Sequence, residues 1–264
     1  MTAAAPEVLL PTSLQEAVQA FGDGAGVTVV AGGTILLPAL TYGQLKPGRA
    51  LMLSKSGLDT MTRENGMIRL GAMLPVAALA DGPEPLASAA RNVADIEIRA
   101  QGTVGGNLCA PPGVSAPRGD LQGPLLALGA HVRSAGPGGE RTEPVESFLA
   151  DHQSRLALEI SFEEPSASGY ARVDRPHAHT YTTLAVSVAR AADGTVRIAA
   201  TGAGPRGVRL PSAEAQAGDP EAAGRAALAD VTLQDDALAS AWYRERTLPV
   251  LVRRALTQLV ENTG

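Results

Sequence analysis

The stretch ADIEIRAQGTVGGNLCAPP, residues 94–112, sets two adjacent glycines between Thr103-Val104 and an asparagine, directly after an alternating run. An earlier segment, VTVVAGGTILLP at 27–38, sets Gly32-Gly33 beside Thr34 in nearly the same way. This pair of loops restricts the fold more than any other feature of the chain. Val27 to Ala31 is β-branched and apolar on both faces, as a buried strand requires, and it stops abruptly at the glycines. A strand that ends in Gly-Gly-Thr before a helix-like segment exposes several backbone N–H groups, and with no Cβ the backbone can approach a ligand closely. Phosphate suits such a loop. Thr34 and Thr103 add hydroxyl donors, Asn107 adds an amide, and a helix N-terminus favours negative charge. One glycine pair alone more often only reverses the chain. Two of them, each beside a threonine and followed by an apolar segment, suit the two halves of one pyrophosphate. Neither loop has the spacing G-x-G-x-x-G or G-x-x-x-x-G-K-[ST], which argues against an ordinary Rossmann fingerprint and against a P-loop.

Composition removes several function classes. At 264 residues, 45% hydrophobic and 19% charged, the chain is long enough for a sizeable core and for two or three compact units. The net charge is −5 with acids and bases interleaved, so neither nucleic acid nor an anionic membrane is an expected partner. Only 3% of residues are aromatic, too few for a base-stacking platform. No window approaches the ~20 apolar residues of a spanning helix, and Met1 precedes no cationic or apolar leader pattern; a cytoplasmic location is expected. Cys109 is the only cysteine, so the chain makes no internal disulfide and no thiolate zinc site. It also holds no iron–sulfur cluster of its own, because such a cluster takes about four Cys ligands. If electrons move here, any metal stage lies on another chain. His177 and His179 have no acid or thiol cluster nearby, and no metal site is expected.

Along the chain, TSLQEAVQAFGDG predicts a short helix that Thr12 or Ser13 caps, with Glu16 three residues after Ser13 and Gly22 or Gly24 as its end. Ala50 to Ser54 predicts a strand, Met67 to Met73 another after an Asn65-Gly66 turn, and VAALAD and PLASAARNVAD predict helices. GPLLALGAHVRSAGPGGE reads as a buried helix and then a strand, and Leu156 to Phe162 as a further strand. Acid, Pro, Ser and Gly cluster at 163–169, the best boundary. Beyond it TYTTLAVSVAR predicts an apolar helix or strand, then an Asp193-Gly194 turn and a strand. The tail from Ser240 is a long helix with arginines on a solvated face. The expected class is α+β, with one domain over 1–163, split near residue 54, and a smaller one over 167–264.

Four segments carry a specific resemblance: AGGTILLP at 31–38, IRLGAMLPVAALA at 68–80, IRAQGTVGGNL at 98–108 and TGAGPRGVRLPSAEA at 201–215. In this order they resemble the FAD-binding medium subunits of molybdenum-containing hydroxylases, the family of carbon monoxide dehydrogenase and the xanthine dehydrogenase flavin domain. The resemblance implies FAD as cofactor and places Ala31, Gly32, Gly33, Thr34, Ile35 and Leu36 in a first pyrophosphate loop. Thr103, Gly105, Gly106 and Asn107 then belong to a second. It also implies that Asp120 holds a ribityl hydroxyl, a role suited to a carboxylate that accepts two hydrogen bonds. Arg172 falls where a basic residue stands near the flavin, and Tyr181 where an aromatic faces its ring. Three departures stand out. Ile35 replaces an acid or small polar residue, the segment from Asn107 to Asp120 is longer than usual, and Tyr181 sits one position out of register.

The activity implied is that of an oxidoreductase subunit. A molybdopterin large subunit oxidises the organic substrate, a [2Fe–2S] small subunit passes electrons on, and this chain delivers them to an external acceptor: NAD+, a quinone or dioxygen. Two alternatives are a free-standing FAD-dependent oxidase or dehydrogenase acting directly on a small metabolite and a cofactor-free scaffold subunit. No residue of this chain is assigned a catalytic role.

Overall fold

In the computed structural model the described residues are 7–112, 118–174 and 182–261. They are organised around three sheets, and the architecture is α+β. The first unit runs β1 (Glu7–Leu9), α1 (Leu14–Phe21), β2 (Val27–Val30), α2 (Leu36–Thr41) and β3 (Arg49–Met52). Its three strands are parallel, with β3 in the middle, where Leu51 pairs with Leu9 on one side and Val29 on the other. Local chemistry explains α1. Ser13 Oγ accepts from the Glu16 N–H at 3.2 Å, and Glu16 Oε2 accepts from the N–H and hydroxyl of Thr12 at 2.7 and 2.9 Å. Of the two candidates Ser13 is the N-cap, Thr12 is tied to Glu16 in front of it, and Gly22 at φ 61° ends the helix.

The second unit opens with the hairpin of β4 (Met61–Glu64) and β5 (Met67–Gly71), whose turn residues Asn65 and Gly66 have φ 52° and 77°. There follow α3 (Leu86–Ala90), α4 (Ile96–Gln101), α5 (Val104–Leu108), α6 (Gln122–Ala127), β6 (His131–Ala135), β7 (Arg141–Pro144), α7 (Val145–Asp151) and β8 (Leu156–Glu163). The strands make a five-stranded antiparallel sheet in the order β4-β5-β8-β6-β7. The alternating run before the second glycine pair is helical. Asp95 Oδ1 accepts from the Ile98 N–H at 2.8 Å and caps α4, and Gly102 ends it.

The third unit is β9 (Ala167–Asp174), β10 (Thr182–Arg190), β11 (Val196–Thr201) and β12 (Val208–Arg209), with α8 (Pro211–Glu214), α9 (Pro220–Ala226) and α10 (Ala241–Glu261). The apolar run that suited helix or strand is β10, buried at every position except Arg190. Between β8 and β9 only Glu164 to Ser166 stand outside a strand. Every residue of α6 is buried, because the helix packs between the core of the second unit and strands β10 and β11. Its one polar side chain is satisfied: Gln122 Nε2 donates to Leu108 O, and its Oε1 accepts from the Gly207 N–H, both at 2.8 Å.

The tail helix departs from its expectation in one respect. Arg244 is not on a solvated face; its side chain is 2% exposed and pairs with Asp236 at 2.7 Å. The cause lies just outside the helix, since Asp236 and the carbonyls of Gln234 and Ala239 fold back over the start of α10. Elsewhere α10 presses on the sheet so closely that a Cβ on Gly169 would lie 2.0 Å from the Ala255 carbonyl oxygen. Gly169→Ala is therefore expected to destabilise the protein by about 1–3 kcal/mol, the usual scale of overpacking, as read by urea denaturation.

Candidate functional site

The first glycine pair is shaped by two different constraints. Gly33 has φ 75°, which favours glycine, and its carbonyl accepts from the Leu37 N–H at 2.8 Å to start α2. Gly32 is needed for space: a Cβ there would sit 1.9 Å from Gln101 O and 3.1 Å from the Gly102 Cα. The first loop thus touches the backbone at the end of α4. The backbone N–H groups of Gly32, Gly33, Thr34 and Ile35 donate to no other group among the described residues. A run of free N–H groups just before a helix is an anion-binding concavity.

The second loop is not equivalent to the first. The Val104 N–H donates to Leu74 O at 2.9 Å, Gly105 to Ala72 O at 2.8 Å, Gly106 to Thr103 Oγ1 at 3.1 Å and Asn107 to Thr103 O at 2.8 Å. These four donors are already used in fastening the loop to the segment 72–74 and in capping α5. Gly105 is a packing position, where a Cβ would lie 2.8 Å from both the Cβ and the carbonyl oxygen of Ala72. Gly106 faces the first loop, with the Ala31 Cβ 3.6 Å from where its own would be. Asn107 Oδ1 accepts from the Leu121 N–H at 2.8 Å, which ties the second loop to the residue after Asp120 and leaves the amide Nδ2 as donor.

Both loops and Asp120 line one cleft of about 650 Å³, a size at which small-molecule and cofactor sites occur. Asp120 does not cap α6, whose N-cap is Leu121 with no side-chain bond. Burial pushes its carboxyl up to about 7, against the pull of Arg118 and Arg172, while Asp174 adds to the rise. Arg172 itself is not in the cleft. It is paired with Asp174 and lines a separate groove with Tyr170 and, from α10, Arg253 and Arg254. Tyr181 lies outside the described residues.

Two cleft residues carried no signal in the sequence. His152 is buried, with Nδ1 3.1 Å from Leu149 O, and burial lowers its pKa below the ordinary imidazole value. Arg118 lines the cleft while its ion-pair partner, Asp236, is far away along the chain. Cys109 also lines the wall, but burial raises its thiol to about 12, so it supplies no thiolate at neutral pH. Among the described residues no group of His, Cys, Asp and Glu is arranged to hold a metal ion, and no helix is long and apolar enough to cross a membrane.

A family model described as the FAD binding domain in molybdopterin dehydrogenase matches residues 4–161, more than half of the chain. The nicotine 6-hydroxylase medium subunit of Paenarthrobacter nicotinovorans is 26% identical over 94% of this chain and 95% of its own. The carbon monoxide dehydrogenase medium chain of Hydrogenophaga pseudoflava is 26% identical over 93% and 94%. Among solved structures, a carbon monoxide dehydrogenase from Hydrogenophaga pseudoflava that lacks the Mo-pyranopterin moiety superposes with a TM-score of 0.84 at 24% identity, covering 100% of both chains. Quinoline 2-oxidoreductase from Pseudomonas putida 86 superposes at 0.82 with 19% identity, over 100% of this chain and 99% of that one. At these identities the likeness shows the fold.

Asp120 yields a pH-dependent stability. Its carboxyl binds a proton more tightly when folded (about 7) than at its ordinary value of 3.8, so folding loses stability as pH rises between the two and no more above. Asp120→Asn removes the penalty. The gain of the ligand-free variant over wild type is expected to grow from about pH 4 to about pH 7 and then level off, measured by urea denaturation across that range.

Proposed function

The chain belongs to the family of FAD-binding domains in molybdopterin dehydrogenases, and on that premise we propose that it is the flavoprotein subunit through which electrons leave a molybdenum hydroxylase complex. FAD is its cofactor, and when bound it supplies redox chemistry that amino-acid side chains lack. One observation carries the assignment of the site. The free N–H groups of Gly32 to Ile35 open on a cleft whose size and donors suit a dinucleotide, beside a second loop already held rigid by the protein.

In this reading Ala31 to Leu36 receive the pyrophosphate on backbone N–H groups, with Thr34 adding its hydroxyl. Ile35 contributes through its N–H alone, so an apolar side chain there costs the nest nothing. Thr103 and the amide of Asn107 supply further polar contacts, while Gly105 and Gly106 let the second loop lie close to Ala72 and to the first loop. Asp120 accepts hydroxyl groups of the ribityl chain, and near pH 7 it can do so as a carboxylate or share its own proton. Arg172 acts on the cleft only through its field on Asp120.

The partners follow from the same premise. A [2Fe–2S] subunit delivers electrons to this chain, a molybdopterin subunit oxidises the organic substrate, and an external acceptor takes the electrons away. The relatives named as medium subunits, and another from Paenarthrobacter nicotinovorans named as a subunit of a 6-hydroxypseudooxynicotine dehydrogenase complex, support this division. So does a chain with one cysteine, which needs a partner for any thiolate-bound cluster.

The test is an absorbance spectrum of the purified chain after incubation with FAD and desalting. Flavin bands are expected to persist. In Gly32→Ala the loops are forced apart, and FAD affinity is expected to fall at least tenfold, about 1.4 kcal/mol, with the far-UV circular dichroism unchanged. A folded wild-type chain that stays colourless would overturn the reading. Co-purification with iron–sulfur and molybdenum proteins from the native host tests the electron route.

A further inference from the structure

Arg118 is a buried cation with too few anions around it. Its side chain is 7% exposed, yet it lines the cleft. Its Nη2 donates to Asp236 Oδ2 at 2.9 Å, and the same oxygen accepts from Arg244 Nη2 at 2.7 Å. The other carboxylate oxygen is taken by the N–H groups of Leu238 and Ala239 at 2.7 and 2.9 Å. Burial alone would push the Asp236 carboxyl up, but these four bonds together hold it below its ordinary value, so it is ionised. One carboxylate therefore serves two buried guanidinium groups and leaves a net positive charge.

The surplus sits on the cleft side. Arg244 spends its Nη1 on the carbonyls of Gln234 and Ala239, away from the cleft. Arg118 makes no such bonds to carbonyls among the described residues, and its buried Nε, like that of Arg244, donates to nothing among them. A charged donor left unmet inside a protein is costly, so an acceptor supplied from the cleft would stabilise the arrangement. Nearby charges do not cancel it: Arg172 and Asp174 pair with each other, and Asp120 is only partly ionised near neutral pH.

Resting on the FAD reading, we propose that Arg118, held by Asp236, is the cation that favours the negatively charged, two-electron-reduced flavin. The pyrophosphate already has the N–H groups of the first loop, and Arg118 belongs instead to the Asp120 segment. Two electrons from an iron–sulfur donor and one proton from solvent, bound at N5, leave one negative charge over N1 and the C2 carbonyl. No protein bond is made or broken. A fixed guanidinium lowers the energy of this form relative to the neutral oxidised ring, one of the ways a protein sets a flavin potential.

The experiment measures the flavin midpoint potential of the FAD-loaded chain against a reference dye, using a chemical reductant. Arg118→Gln is expected to weaken the reduced form at least tenfold relative to the oxidised one, a fall of about 30 mV for a two-electron couple, and Arg118→Lys to restore most of it. Asp236→Asn, which removes the compensating charge, is expected to shift the potential upward. Affinity of the flavin-free protein for ADP is expected to be the same in Arg118→Gln and wild type. An unchanged potential in Arg118→Gln overturns the inference, and so does a loss of ADP affinity, which would assign the guanidinium to the pyrophosphate. If thermal melting shows that Arg118→Gln does not fold, Asp236→Asn decides by the same measure, and no upward shift overturns the inference. Wild type without flavin would overturn the FAD reading itself; flavin-loaded wild type with insensitive variants would overturn this inference alone.

Discussion

A β-carbon on Gly32 would stand 1.9 Å from the carbonyl oxygen of Gln101, and the missing atom joins two units that are otherwise built differently. Strand β2 of the parallel sheet ends at Val30, two residues before Gly32, while Gln101 closes a helix of the second unit. Backbone contact at that point brings the free N–H groups of one loop alongside the capped start of α5. A larger residue would open a gap between the loops and unseat the cleft. The first unit is also held by apolar packing of Phe21, Leu51 and Leu53 with Leu156 and Leu158 on β8. That contact sets the distance between the units; the glycine lets them meet.

The two loops look alike as strings of residues and act differently because of what lies behind them. Behind the first is a strand that ends, so its N–H groups have no ladder partner. Behind the second is the segment 72–74, which accepts from Val104 and Gly105 as an adjacent strand would. Donors that are bonded to the protein cannot also bind a ligand without losing those bonds, a loss worth about 1 kcal/mol each. The second loop therefore serves as a rigid floor, and its contribution to polar recognition falls to the side chains of Thr103 and Asn107.

The third unit reaches the cleft through α6 and through Arg118. Because α6 is buried on all sides, Leu121 and Gln122 are fixed from below by the second loop and from above by the turn at Gly207. The buried pair of Arg118 and Asp236 adds a link from the cleft to the start of the tail helix. Such a pair is a weak source of stability, because desolvation offsets most of its attraction. Its stronger consequence is to hold a charge at one position with little freedom.

Local rules made most of the elements legible. The cap at Ser13, the Asn65-Gly66 turn, the strands at 27–30 and 156–163 and the tail helix all follow from residues within a few positions of one another. Strand β4 had no such signal, since all four of its residues are exposed and no apolar alternation marks them. The glycine loops were readable as a phosphate site because a phosphate needs free backbone N–H groups, which glycine-rich turns offer, whereas FAD and Asp120 entered through the family resemblance. Tertiary structure alone decided which loop keeps its N–H groups free, that Arg172 faces a separate groove, and that Arg118 and Arg244 share one buried carboxylate. Each of these depends on partners dozens of residues away, and long-range hydrogen bonds and burial have no period that a sequence can display.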